Sequence, residues 1–249
     1  IMCWRGNTLS DSGGDQYTSH TIDIAIKYQK EMFWSSGYDY QRGWTRVATG
    51  NTPPTVNVPV DGFNIPKETP FVLEGSADNE FADITTFSWE QNDISNITFE
   101  SPNFPGDTGP LFCSADGTLD GYRRYFPNIA CLLENQYNMP LNPGNDYLIE
   151  KLPFAEREIN MRLLARDNNP YAGGFSYANI QLAVAGDAGP FRVTSQDEAV
   201  IWETSTNKTV SWDVANTTHP EGVNCADVDI YLSIDGGENF NVVLVEATA

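Results

Sequence analysis

Ala178-Asn179-Ile180-Gln181-Leu182-Ala183-Val184 places an apolar residue at every second position. Successive side chains of an extended chain point to opposite faces, so a period of two marks a strand with one face buried. The same alternation runs through Ile159/Met161/Leu163 upstream, and earlier through Phe71/Leu73 and Phe87/Trp89. It resumes at Val210/Trp212/Val214, Val228/Ile230/Leu232 and Phe240/Val242/Leu244. Strands separated by turn residues, with little helical periodicity between them, predict a mainly β protein of sandwich type.

Two breaks divide this pattern. Thr49-Gly50-Asn51-Thr52-Pro53-Pro54 carries two prolines and a glycine, which disfavour both helix and central strand, and Gly186-Asp187-Ala188-Gly189-Pro190 does the same further on. The expected units are residues 1–47, 48–186 and 187–249. The last is short for a complete sandwich of roughly 100 residues, so a small or partial module is expected. Between Phe99 and Leu152 the chain is rich in Pro, Asn, Gly and Asp and reads as a long decorated loop with a helical turn around Ile129–Leu133.

Residues 1–47 differ from the rest. Ile22, Ala25, Ile26, Met32 and Phe33 follow the spacing of a helix with one apolar face, with Thr18 or Ser19 as cap and Asp23 in the first turn. Such a helix cannot bury its face alone, which implies neighbouring structure. Trp34, Tyr38, Tyr40 and Trp44 follow it.

The chain has 249 residues and a net charge of −20, from 14 basic and 34 acidic residues. That field repels a phosphate backbone and argues against nucleic acid as a partner. No apolar run approaches the roughly 20 residues of a membrane-spanning helix. The carboxylates supply hard oxygen ligands, which makes calcium the ion to consider. The best grouping is the loop Asp78-Asn79-Glu80-Phe81-Ala82-Asp83, joined by Asp167 at the end of another strand; Asp78, Glu80, Asp83 and Asp167 are the candidate calcium ligands. The competing reading is that they form Asx turns at strand ends.

Of the four cysteines, Cys113 and Cys131 flank a Gly/Asp-containing loop and are a candidate disulfide suited to an oxidising compartment. Cys225 reads as a buried small hydrophobe. The two histidines, His20 and His219, are far apart, and no zinc-ligand cluster, Gly-x-Ser-x-Gly elbow or phosphate-cradling loop is present. No complete active site is legible. Ser233-Ile234-Asp235-Gly236-Gly237-Glu238-Asn239-Phe240 has the pattern of an Asp-box hairpin, with Ser233 and Asp235 bracing the turn, Gly237 supplying its backbone freedom and Phe240 packing below.

Several segments together resemble the C-terminal region of secreted reprolysin-like (metzincin) zinc metallopeptidases of the Bacteroidetes type. They are Thr49–Val56, Ile65–Leu73, Ser88–Gln91, Gly109–Phe112, Arg166–Pro170, Gly189–Thr194 and Val223–Ile230. The resemblance implies that Ile1-Met2 is the methionine turn beneath a zinc site, with Met2 as its methionine, and that residues 18–33 are the last helix of the catalytic domain. Cys3-Trp4 departs from the turn's usual Ser-Tyr. The zinc-binding histidines and general-base glutamate would lie upstream of Ile1, so zinc is expected in the parent enzyme and not on this chain.

The resemblance further implies tandem Ig/PKD-like β-sandwich modules after that helical remnant, and export by a type IX-like route. The expected role is a secreted, non-catalytic accessory region of a metallopeptidase, a spacer or a binder of protein substrate or surface. The alternatives are an adhesin or carbohydrate-binding protein that engages cell-surface glycan through Trp34, Tyr38, Tyr40 and Trp44, and an exported cargo that meets the secretion machinery.

Overall fold

The computed structural model of the protein describes residues 48–60, 62–82, 84–93, 108–112, 114–133, 150–196, 198–203, 206–237 and 239–249. Its strands are β1 (Thr55–Asn57), β2 (Asn64–Pro66), β3 (Phe71–Glu74), β4 (Ser76–Asp78), β5 (Thr86–Gln91) and β6 (Arg123–Phe126). A short helix α1 (Ile129–Leu133) follows, then β7 (Arg157–Arg166), β8 (Phe175–Ala185), β9 (Arg192–Val193), β10 (Trp212–Asp213), β11 (Val228–Leu232) and β12 (Val242–Thr248). The described chain is mainly β, arranged as several small sheets.

The alternating stretches form the centre of the largest sheet, whose order is β2-β8-β7-β5. Ile159 pairs with Leu182, Met161 with Ile180 and Leu163 with Ala178 across the antiparallel β7–β8 ladder. Because the period is two, this register aims all of these residues at one face. β5 adds Phe87 and Trp89 to that face, and β2, running parallel to β8, adds Ile65. The face is covered by the pairs β1–β4 and β3–β6, whose Val56, Phe71, Leu73, Ala77 and Phe126 join one cluster with it. At roughly 1.5–3 kcal/mol for each large apolar side chain buried, the inward row Ile159, Met161 and Leu163 of β7 outweighs any single polar contact in the unit.

Aromatic packing sets the spacing of the layers. Phe71, Phe112 and Phe126 form a trio with ring centroids 5.0–5.5 Å apart. Trp89 is fully buried, and its indole N–H donates to the Tyr122 carbonyl at 2.9 Å, so its one polar atom is satisfied.

Buried polar groups fasten the irregular segments to this core. Gln91 Oε1 accepts from the backbone N–H groups of Leu111 and Phe112 at 2.6 and 3.0 Å, while its amide donates to Asp93 at 2.7 Å. Asp93 also accepts from Asn160 Nδ2 at 2.7 Å and lies 3.7 Å from the Arg157 guanidinium, which donates to the Gly109 carbonyl at 2.9 Å. Arg124 pairs with Glu150, and the other Glu150 oxygen accepts from Asn128 N at 2.6 Å. The two ends of the Pro/Asn-rich stretch are thus tied into the sheet. The helical turn expected at Ile129–Leu133 is α1.

Three features differ from the sequence reading. The second break is not a free connection: Lys67 N donates to the Ala188 carbonyl at 3.0 Å, Lys67 Nζ to the Gly186 carbonyl at 2.8 Å, and Phe191 N to Thr69 Oγ1 at 2.9 Å. Gly189 sits at φ +98, where a Cβ would meet the Lys67 carbonyl oxygen at 2.2 Å, so only glycine fits. The alternation of β11 and β12 does not produce a buried face, because these strands pair only with each other among the described strands; Tyr231, Leu232 and Val242 to Val245 are exposed. Cys225 is half-buried rather than buried, and its Sγ donates to the Asp227 carbonyl at 3.3 Å.

Candidate functional site

The loops gathered at one end of the four-stranded sheet carry most of the residues singled out for calcium. β4 ends there, with Asp78 opposite Thr55 of β1. Asp78 is exposed and accepts from Asn57 Nδ2 at 3.3 Å. Glu80 is exposed on the following turn, which is held by its own side chains: Asn79 Nδ2 donates to Thr85 Oγ1 at 2.7 Å, and Thr85 Oγ1 to the Phe81 carbonyl at 2.8 Å. The β7–β8 loop lies beside it, since Asn168 Nδ2 donates to the Ile84 carbonyl at 2.7 Å.

Asp167 is fully buried at the root of that loop. Its Oδ1 accepts from Gly174 N at 2.7 Å and Asn169 N at 3.0 Å, and its Oδ2 accepts from Asn51 Nδ2 at 2.6 Å. Burial alone would raise its pKa; the hydrogen bonds from Asn51, Gly174 and Asn169 more than offset this, so the carboxyl titrates below its ordinary value. Asn51 Nδ2 also reaches the Ala172 carbonyl at 2.8 Å, and its Oδ1 accepts from Asn169 Nδ2 at 3.2 Å. The carboxylate therefore ties the arriving chain at Asn51 to the β7–β8 loop. Asp83 lies outside the described residues, and among the described residues no group of three or more His, Cys, Asp or Glu side chains is placed to hold a metal ion.

The hairpin between β11 and β12 is built around Asp235. Ser233 Oγ donates to Asp235 Oδ1 at 2.7 Å and accepts from Gly237 N at 2.7 Å. Asn239 donates to the two Asp235 oxygens from its backbone N at 2.9 Å and its Nδ2 at 2.8 Å. These bonds favour the charged form and lower the Asp235 pKa to about 2. Gly236 and Gly237 take positive φ, and Phe240 lies against Tyr125 of β6 with centroids 6.4 Å apart. The geometry braces a turn and leaves no carboxylate oxygen of Asp235 without a donor.

His219 is exposed in a turn, its carbonyl accepting from Gly222 N and Asn224 N. Met2, Cys113, His20 and the aromatic run Trp34 to Trp44 lie outside the described residues, and with them the Met-turn, the Cys113–Cys131 pairing and the stacking surface. Among the described residues no helix is long and apolar enough to cross a membrane. Sequence reasoning did not single out Asn51, Asp93, Arg124, Glu150 or Arg157. Asn51 stood inside a stretch read for its prolines and glycine and as a family-like segment, with no role given to its side chain; the others carry no spacing signal in so acidic a chain. No family model, no curated protein and no solved structure matches the chain.

Proposed function

We propose that this chain is a non-catalytic accessory region of a secreted zinc metallopeptidase, in which Ig/PKD-like β-sandwich units space the enzyme from its surroundings or bind its substrate or surface. The observation that carries the reading is where the family-like segments fall. Ile65–Leu73, Ser88–Gln91 and Gly109–Phe112 supply Ile65, Leu73, Trp89, Leu111 and Phe112 to a single core. Arg166–Pro170 supplies Asp167, and Gly189–Thr194 the glycine that passes under Lys67. Segments that build a scaffold and its joints suit an accessory unit better than a reaction centre.

The buried carboxylates support the same reading. Asp93, Glu150 and Asp167 each accept hydrogen bonds from backbone or amide donors, which makes them ties between distant stretches of chain. On this reading zinc belongs to histidines upstream of Ile1, and no residue here is assigned to it. Calcium at Asp78, Glu80 and Asp83 stays part of the proposal; Asp167 would support the loop rather than bind.

The test compares residues 1–249 with the chain carrying the upstream histidine segment that the reading requires, for zinc content and cleavage of a protein substrate. The longer protein is expected to show both, and residues 1–249 neither. Peptidase activity in residues 1–249 alone, or an unrelated domain directly upstream of Ile1, would overturn the reading.

A further inference from the structure

We infer that the braced hairpin between β11 and β12 is a latch: it seats Gly237 and Phe240 on Leu133 of α1 and Tyr125 of β6, and so holds β9 to β12 at one fixed angle to the four-stranded sheet. Gly237 is buried, although it belongs to a ribbon whose Tyr231, Leu232, Ile234 and Val242 to Val245 are exposed. Its cover comes from a distant stretch of chain. A Cβ on Gly237 would collide with the Leu133 side chain, whose Cδ1 and Cγ would lie 3.0 and 3.2 Å away. Phe240 lies against the Tyr125 ring, with centroids 6.4 Å apart. Asp229 pushes the Tyr231 hydroxyl above its ordinary pKa and Arg123 acts the other way, so the cation two residues before Tyr125 on β6 lies near β11 as well. Ser233 Oγ accepts from Gly237 N, and Asn239 donates to both Asp235 oxygens. Gly237 and Phe240 therefore arrive with their spacing already set, and the contact costs little further ordering.

A second attachment lies where β9 to β12 begin, on a different layer of the fold. Gly189 N donates to the Ala215 carbonyl at 2.8 Å, and Asn216 Nδ2 to the Asp187 carbonyl at 3.3 Å. Asn64 Nδ2, on the edge strand β2, donates to the Gly222 carbonyl at 2.7 Å. Ala188, between Asp187 and Gly189, is 1% exposed. Parts of a chain that meet over a small area ordinarily move against each other. One attachment leaves rotation about itself; two on different layers remove it. The attachment at β2 also makes the hairpin contact intramolecular, and the high effective concentration lets a contact as small as Leu133 and Tyr125 hold. The β region is then an arm of fixed bearing rather than a flexible tether, whether or not the parent protein is a peptidase.

Residual dipolar couplings and nitrogen relaxation on the full 249-residue chain test it. Amides of β5, β7 and β8 and those of β11 and β12 are expected to fit one alignment tensor and one correlation time. Separate tensors in the unaltered chain overturn the inference. Tyr125→Ala/Leu133→Ala removes the seat and leaves the hairpin sequence untouched; Phe240→Ala removes the contact from the other side. Each is expected to lose the common tensor, while β11 and β12 still fit their own ribbon geometry and the β7 and β8 shifts stay unchanged. Leu133→Met and Phe240→Tyr are expected to keep it. A common tensor that survives Tyr125→Ala/Leu133→Ala also overturns the inference, because the attachment at β2 alone would then set the angle.

Discussion

Replacing Asp167 with alanine tests whether the β7–β8 loop is held by its buried carboxylate. The substitution strands the Gly174 and Asn169 N–H groups and one Asn51 amide hydrogen, all now bonded to Asp167 within 3.0 Å. Hydrogen bonds to a charged group contribute roughly 1.5–3 kcal/mol each, but three bonds to one carboxylate do not add. A loss of about 3 kcal/mol is expected, which for a chain of this size lowers Tm by roughly 6–12 °C. Asp167→Asn should fall between, because its oxygen can still accept from the two backbone donors while its own amide meets that of Asn51. The pH dependence carries a second signature. The folded pKa lies below the unfolded value of about 3.9, so the contribution is present above about pH 4 and is lost as pH falls through the folded pKa. Thermal unfolding followed by circular dichroism at pH 7 and across the acid range gives both numbers. A Tm for Asp167→Ala within 2 °C of the parent would refute the reasoning, since that is the behaviour of a carboxylate already solvated at the surface.

Asp235 should titrate near 2 in a carbon-detected NMR titration; Asn239→Ala keeps the backbone N–H that lowers it most and removes only the Nδ2 bond, so it should move the pKa up only in part, and the double variant Ser233→Ala/Asn239→Ala further. Any help Asp235 gives the hairpin is then present above about pH 4 and lost between about pH 4 and 2. Glu150→Ala leaves the Arg124 guanidinium buried without its carboxylate partner, their side chains being 2% and 12% exposed, and should cost about 3–5 kcal/mol in urea unfolding, with Glu150→Gln milder. Gly189→Ala forces a side chain into φ +98 and against the Lys67 carbonyl; it should lower Tm more than Gly50→Ala, where φ is +75 but nothing lies within 4 Å.

The strands of the first unit were legible because their two faces differ. A residue such as Leu163 inside Met-Arg-Leu-Leu-Ala could not be assigned to a face alone, but the run Ile159/Met161/Leu163 and its counterpart Ala178/Ile180/Leu182 fix the register between them. The second unit shows where the same logic stops. The apolar positions of β11 and β12 predict burial, and burial needs a covering layer that periodicity does not name. In the turn at Ser233–Phe240 the pattern named Ser233 and Asp235, which are hydrogen-bonded, but carried no signal for Asn239, which gives Asp235 two donors.

The carboxylates were not separable by type. In a chain with 34 acidic residues, Asp78 and Asp167 look alike, and only the partners Asn51, 116 residues away, and Gly174, across the loop, distinguish them. That distinction redirects the search for function. A carboxylate whose lone pairs are taken by one side-chain donor from a distant stretch and by backbone N–H groups, as Asp167 is by Asn51 and Gly174 and Glu150 by Arg124 and Asn128, holds a joint and has little left for a ligand. The acidic groups left exposed at the Asp167 end are Asp78 and Glu80, on the stretch leading to Ile84, whose carbonyl Asn168 of the β7–β8 loop reaches. Structural and surface acidity therefore meet at one end of the sheet, where Asp167 fixes the loop and the exposed carboxylates are those a substitution can remove without stranding a buried donor.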